Sequence, residues 1–277
     1  MTTKALILAG YGLNCEEETL HAFEYNGVDG KIIHINDLIT APQELDNAQI
    51  LAIPGGFSYG DDTGAGNAYA QKLKLALMDN LLRFVERDTL TIGICNGCQI
   101  LTNLGLTPPA GTKYGERKTA VTYNESARYQ CRWIDLKITN DSPWLSGIDT
   151  LHIPVAHGEG RFMMNDDVLK TLQDNGQIAA IYTKDGAPAN GEFPYNPNGS
   201  TADIAALTDA TGRVLAIMPH PERGMFTSQR DDYMALKDAA HREGHKLSET
   251  SDGMTIFANA AAYFNAGTLT QRTASQI

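Results

Sequence analysis

The feature that most constrains this chain is a strand that runs through a glycine-flanked cysteine straight into a helix. Thr91-Ile92-Gly93-Ile94 is apolar and β-branched, Cys95 lies between Gly93 and Gly97, and Gln99-Ile100-Leu101-Thr102-Asn103-Leu104 reads as helical. Such a strand-turn-helix lifts the residue at its apex above a sheet and leaves a helix N-terminus beneath it. The residues before it keep the same rhythm. Lys4 to Ala9, Lys31 to Ile35 and Gln49 to Ile53 read as strands; Glu16 to Asn26 and Ala65 to Arg87 read as helices, the second with Leu73, Leu77, Leu81 and Phe84 at helical spacing. Apolar strands separated by helices predict an α/β fold with a mainly parallel, doubly wound sheet.

Past Thr107 the texture changes. Pro108 to Thr112 reads as a loop, short β-like runs fill Thr119 to Ile138 and recur around Ile153 and Ile178 to Tyr182, and Asn196-Pro197-Asn198-Gly199-Ser200 signals a turn. Two more strands, Ile204 to Leu207 and Val214 to Met218, return to the core. Residues 224–252 form a polar, charged extension, and Met254 to Phe264 reads as a closing helix. With no internal repeat and no clear linker, a single domain over 1–277, with β-rich additions, is the simplest expectation.

A thiol at the apex of that turn has its thiolate favoured by the helix dipole and by a nearby imidazole. Pro219-His220-Pro221-Glu222 follows an apolar strand and supplies both an imidazole and a carboxylate. Residues i and i+2 of an extended segment point the same way, so Glu222 can hold the tautomer of His220 that accepts the thiol proton. A lone histidine is more often a satisfied core or surface residue; the bracketing prolines and preceding strand set His220 apart. Cys95-Asn96-Gly97-Cys98 is also formally a C-x-x-C. A zinc site needs about four ligands, and no second cysteine pair exists, while a redox pair remains open. The flanking glycines favour a nucleophile, with Cys98 a small packing residue. Arg223 reads equally as a solvated charge or a functional one. The loop Pro54-Gly55-Gly56-Phe57-Ser58-Tyr59-Gly60-Asp61 is either a plain turn or the source of a glycine N–H that, with the Asn96 N–H, stabilises an oxyanion. Gly10-Tyr11-Gly12 begins a dinucleotide fingerprint whose third glycine falls on Cys15, and no Gly-Lys-Ser/Thr phosphate loop occurs.

Composition excludes several classes. A net charge of -11 without a basic stripe argues against nucleic-acid binding. No apolar run reaches membrane-spanning length and the start lacks a signal-peptide pattern, so a cytoplasmic protein is expected. Four cysteines in 277 residues are too sparse for a disulfide framework.

Taken together, Gly93, Cys95, Gly97 and Gln99 with His220 and Glu222 resemble the G-x-C-x-G-x-Q elbow and His-x-Glu pair of class I (triad) glutamine amidotransferases. The segments Pro54 to Asp61, Ala156-His157-Gly158-Glu159-Gly160-Arg161-Phe162, Asn196 to Ser200 and Met218 to Arg223 narrow the likeness. They resemble the glutaminase subunits of phosphoribosylformylglycinamidine synthase, from residue 4 to about 224 and again in the closing helix. The resemblance implies a flavodoxin-like α/β fold and hydrolysis of glutamine to glutamate and ammonia through Cys95, His220 and Glu222. It implies an oxyanion hole from Gly56 and Asn96, and places Gln99, His157 and Glu159 near the glutamine pocket. It also implies no metal or cofactor in this chain. ATP and Mg would serve a separate synthetase large subunit that receives the ammonia and makes formylglycinamidine ribonucleotide in purine synthesis, and a small third subunit would accompany it.

Three positions depart from that pattern. Asp62-Thr63-Gly64 stands where many relatives have Tyr-Leu-Arg, Cys98 stands where many have Phe, and 224–252 is longer than in compact members. The last is expected to pack on the synthetase side or to lid the site. Two other functions stay open at this point: an amidotransferase serving a different synthetase, and a cysteine hydrolase of the DJ-1/PfpI type. In the latter group the histidine commonly follows the cysteine directly, where this chain has Asn96. An inactive scaffold is a third reading, against which the intact Cys95, His220 and Glu222 speak.

Overall fold

A computed structural model describes residues 2–108 and 113–274, those of 266–274 by backbone alone. The loop expected over 108–112 therefore lies, beyond Pro108, outside the described residues. The chain runs β1 (Lys4–Ala9), α1 (Glu16–Tyr25), β2 (Asp29–His34), α2 (Ile35–Thr40), α3 (Glu44–Asn47), β3 (Ile50–Ile53), α4 (Asn67–Glu86), β4 (Leu90–Ile94) and α5 (Asn96–Leu104). Then come β5 (Ala120–Thr122), β6 (Gln130–Ile138), β7 (Thr150–His157), β8 (Arg161–Met163), α6 (Asp166–Asp174), β9 (Ile178–Lys184) and β10 (Ala187–Pro188). The last part comprises β11 (Ile204–Thr208), β12 (Val214–Ile217), α7 (Tyr233–Glu243) and α8 (Asp252–Ala274).

One sheet holds most of the strands in the order β2-β1-β3-β4-β12-β11-β9-β6-β7, with β10 beside β9. From β2 to β12 every pairing is parallel; from β12 onward every pairing is antiparallel. The β-rich additions thus extend the α/β sheet, and β5 and β8 pair separately. The burial patterns explain the division. Strands β3 and β4 are buried at every residue, as parallel strands covered on both faces must be. β6 mixes buried with exposed positions, the mark of a sheet wet on one face.

Helices α1 and α5 lie on the parallel strands, α1 joined by α8 and α5 by α4. Phe23 meets Phe257 edge-on at 5.1 Å and joins α1 to α8. The strand expected to end at Ile35 stops one residue earlier. The His34 ring accepts from the Asn36 N–H at 3.2 Å, a side-chain cap that starts α2 there.

Register positions the site. Ile53 lies opposite Gly93, and Ile94 opposite Ile217, so β3, β4 and β12 end side by side. The chain segments they release, Pro54 to Gly56, Cys95 and Met218 to His220, emerge together at the carboxyl end of the parallel strands. Ligand sites of parallel sheets form at such carboxyl ends. The 224–252 extension is fastened elsewhere. Phe226 packs on His21 and Tyr25 of α1, Asp231 binds His152 of β7, and Arg230 reaches Asp252 at the start of α8. Among the described residues no helix is long and apolar enough to cross a membrane.

Candidate active site

Cys95 occupies a strained positive-φ backbone conformation, φ 51° and ψ -104°, between β4 and α5. A non-glycine residue there costs about 1–3 kcal/mol and persists only when its surroundings impose it. The surroundings here are two glycines. A Cβ on Gly97 would lie 1.8 Å from the Ile53 carbonyl oxygen, and one on Gly93 would lie 2.4 Å from the Gly97 oxygen. Strand β3, strand β4 and helix α5 therefore touch backbone to backbone, which drives Cys95 to the apex. Its N–H donates to the Ile217 carbonyl at 2.8 Å, and its sulfur lies 3.7 Å from the Ala156 carbonyl oxygen of β7. The side chain is 4% exposed.

His220 arrives from the end of β12, its own N–H donating to the Pro154 carbonyl at 2.8 Å. Its Nδ1 and the Glu222 Oε1 are 2.5 Å apart, both residues fully enclosed. This leaves Nε2 with no hydrogen-bond partner among the described residues. Burial opposes charge on the imidazole. The Glu222 carboxylate and the nearby Cys95 and Cys15 sulfurs outweigh burial and hold its pKa well above the usual histidine value. Gly55 makes room for the ring: a Cβ there would meet the imidazole Cε1 at 2.7 Å.

Two neighbours of the histidine were not read as a pair from sequence. Arg223, left open above, donates from Nη2 to the buried Cys15 sulfur at 2.9 Å and stands 3.8 Å from Glu222. Cys15 precedes α1 and has no local motif; only tertiary contact places it here. Cys15, His220 and Glu222 are close enough to suit a metal ion, but the guanidinium on the thiol disfavours a cation. His152, Asp231 and Asp232 form a second such group, in which both imidazole nitrogens already bind carboxylates, Asp135 at 2.7 Å and Asp231 at 2.9 Å. All four cysteines carry free thiols, and Cys98 is wholly buried, as a packing residue would be.

Asn96 follows the cysteine, and Gly56 lies in the loop after β3, beside the strand that carries it. A Cβ on Gly56, whose φ is +152°, would lie 2.3 Å from the Gly12 oxygen, so only glycine fits. Antiparallel bonds from Phe57 N–H to Gly12 and from Asn14 N–H to Gly55 clamp this loop. Asn96 opens α5, where its N–H has no intrahelical partner. Its buried side chain accepts from the Ser58 N–H at 3.2 Å and donates to Gln99 at 2.8 Å and to Asp61 at 3.2 Å. Gln99 donates in turn to the Glu159 carbonyl, and the Glu159 carboxylate accepts from the Ala65 N–H at 3.2 Å. Asp61 follows Tyr59 and Gly60, all three left-handed. Its role beside Asn96 carried no sequence signal.

His157 is enclosed beyond this network. Its Nδ1 binds the Asn124 Oδ1 at 3.1 Å, an oxygen that also accepts from the Gly160 N–H at 3.0 Å. Burial pushes its pKa down to about 3, so the ring is neutral with its proton on Nδ1. Asn124 was not singled out from sequence. The Asn196–Ser200 turn locks the same loop, Asn198 donating to the Gly160 carbonyl at 2.8 Å.

Comparison with known proteins comes to the same place. Residues 2–264 match the CobB/CobQ-like glutamine amidotransferase domain. The phosphoribosylformylglycinamidine synthase subunit PurQ of Methanococcus maripaludis is 47% identical over 95% of this chain and 97% of its own. PurQ of Dehalococcoides mccartyi is 41% identical over 94% and 97%. A chain in the structure of PurLQS from Thermotoga maritima covers 95% of this chain and 100% of its own, with 28% identity and a TM-score of 0.69. A match of that length, on a fold that sets cysteine, histidine and glutamate at the carboxyl ends of neighbouring parallel strands, makes this chain a member of the CobB/CobQ-like glutamine amidotransferase family.

Proposed function

We propose that this chain is the glutaminase subunit of a phosphoribosylformylglycinamidine synthase, as its PurQ relatives are named. The observation that carries the chemistry is the positive-φ Cys95 near a buried His220–Glu222 pair 2.5 Å apart. In this reading Cys95 has ceded its proton to His220, whose raised pKa favours a thiolate–imidazolium pair, and the sulfur attacks the side-chain carbonyl carbon of glutamine. The oxyanion forms against the Gly56 and Asn96 N–H groups. Collapse breaks the carbon–nitrogen bond, the imidazolium protonates the leaving nitrogen, and ammonia departs from a γ-glutamyl thioester. His220 then deprotonates a water that attacks the thioester, releasing glutamate and restoring the thiol. Glu222 stabilises the imidazolium throughout.

Gln99 and Glu159 shape the pocket wall through their mutual bond, while His157 acts from behind it by holding Asn124 and the Gly160 loop. The unit is one amidotransferase domain over 1–277. Ammonia passes to a separate synthetase large subunit, accompanied by a small third subunit. ATP and Mg are assigned to that partner, since this chain has no Gly-Lys-Ser/Thr loop. Four free thiols suit the reducing cytoplasm.

Glutamate release by the purified chain, with and without co-expressed synthetase subunits, tests the reading. Cys95→Ala is expected to lower it by about 10⁴-fold or more, the scale of losing a nucleophile. Release that depends on Cys95, with no amidine formed from formylglycinamide ribonucleotide, would keep the hydrolysis and remove the purine assignment.

A further inference from the structure

We infer that Asp61 is a positioning residue for glutamine hydrolysis: its carboxylate holds the Asn96 side chain that fastens the Gly56–Ser58 segment to the start of α5. The inference rests on the reading above, in which the N–H groups of Gly56 and Asn96 receive the oxyanion.

The Asn96 side chain is the direct link between the two segments that carry those groups. It is wholly buried, its oxygen accepts from the Ser58 N–H at 3.2 Å, and both amide hydrogens are used, one on Gln99 at 2.8 Å and one on Asp61 at 3.2 Å. Gln99 is itself fixed by the Glu159 carbonyl. Asp61 is the other anchor, and it is brought there by backbone shape. Tyr59, Gly60 and Asp61 have φ of 55°, 67° and 54°, and this left-handed run turns the carboxylate back onto Asn96. The Tyr59 N–H donates to the Tyr11 carbonyl at 2.7 Å and the Gly64 N–H to the Asp61 carbonyl at 2.9 Å, so the turn is held on both sides.

An ionised carboxylate is acceptor-only and admits one orientation of the Asn96 amide, nitrogen toward Asp61 and oxygen toward Ser58. A protonated one can place a hydrogen against the amide nitrogen and loosens that hold. Burial pushes the Asp61 carboxyl up to about 6, against the Gly66 N–H and the Asn96 amide, which pull it down. The charges facing it are Glu159, from the segment after β7, and Asp62 on its own loop, both of which also raise it. The hold therefore strengthens as pH rises through about 6 and weakens below it.

Two substitutions suit a left-handed position. Asp61→Gly removes the acceptor, and Asp61→Asn keeps an acceptor oxygen but not the charge. Glutamate release by the synthetase-bound protein is measured from about pH 5 to 8, with iodoacetamide alkylation of Cys95 alongside. D61G is expected to lower kcat about tenfold, less than the loss of an entire oxyanion donor. Its KM and alkylation rate are expected to stay within about threefold. D61N is expected to recover most of kcat near pH 8 and to lack the acid limb, centred near pH 6, of the unsubstituted protein. A D61G kcat within about twofold of the parent overturns the inference, as does an acid limb unchanged in D61N. If the unsubstituted protein shows no Cys95-dependent release, the functional reading fails instead. A crystal structure of D61G then decides the positioning claim: Asn96 Oδ1 still seated on the Ser58 N–H overturns it, and its departure supports it.

Discussion

In the parallel half of the sheet, β3, β4 and β12 stop in register, and each delivers a residue of the site from a loop. Two of those residues, Gly56 and Cys95, have positive φ, and glycines at 93 and 97 bring backbones into direct contact. The antiparallel half contributes in the opposite manner. From β7, the Pro154 carbonyl fixes the His220 N–H and the Ala156 carbonyl faces the Cys95 sulfur; beyond them Asn124, His157 and Gly160 form a closed hydrogen-bond cluster. The parallel strands thus hold Cys95 in a costly conformation, and the antiparallel strands supply packing and carbonyls that keep the site in place. Strain survives only where neighbours over-determine it.

If this division is right, substitutions of the reactive groups at the parallel strands should cost rate, and substitutions in the contacts that support them, in either half, should cost stability first. Glu222→Gln tests the first arm most severely. Its amide can present a hydrogen to the imidazole Nδ1 and favour the wrong tautomer, so kcat should fall by about 10³–10⁴-fold with the melting temperature little changed. Gly97→Ala, measured by urea unfolding, should cost more than about 3 kcal/mol, since the added methyl meets the Ile53 carbonyl rather than a movable side chain. A soluble, fully active G97A protein would break the backbone-contact explanation of Cys95.

Asn124→Ala probes the other half. It strips partners from the His157 ring and the Gly160 N–H, both enclosed, and should cost about 2–3 kcal/mol of stability. Its kcat per folded molecule should stay within about threefold. The smallest effect is expected at His152, where the hydrogen bond to Asp135, then that to Asp231, outweigh burial and raise the imidazole pKa. A raised folded-state value means the stabilisation is full below the unfolded pKa of about 6.5 and lost as pH climbs through the folded one. Scanning calorimetry from about pH 6 to 9 should show a fall of roughly 2 °C that His152→Gln abolishes. A fall of the same size in H152Q would show that His152 is not its source.

Much of the parallel half was legible in the sequence. Strands buried on both faces read as unbroken apolar runs, and the Gly93-Cys95-Gly97 pattern announces a tight turn because only glycine tolerates such approach. His220 was legible from the prolines around it and the strand before it. The antiparallel half was less so. Its strands are short and mixed in polarity, and Asn124 sits between β5 and β6 with no pattern around it, although it bonds residues more than thirty positions away. Cys15 meets Arg223 across 208 positions, a separation no local rule can bridge. Asp61 lay inside a recognised motif, but its grip on Asn96 depends on three successive left-handed residues, only one of them glycine.

By itself the sequence determined the α/β order, the cysteine at the apex of its turn, and the histidine–glutamate pair delivered by a later strand. Those are consequences of periodicity and backbone sterics, which act between near neighbours. Tertiary structure alone decided which carbonyls orient the histidine and which guanidinium covers Cys15. It also decided how Asn96 is held between two loops. These are contacts between side chains and backbone groups far apart in the chain, and they exist only once the sheet has set its strand order and register.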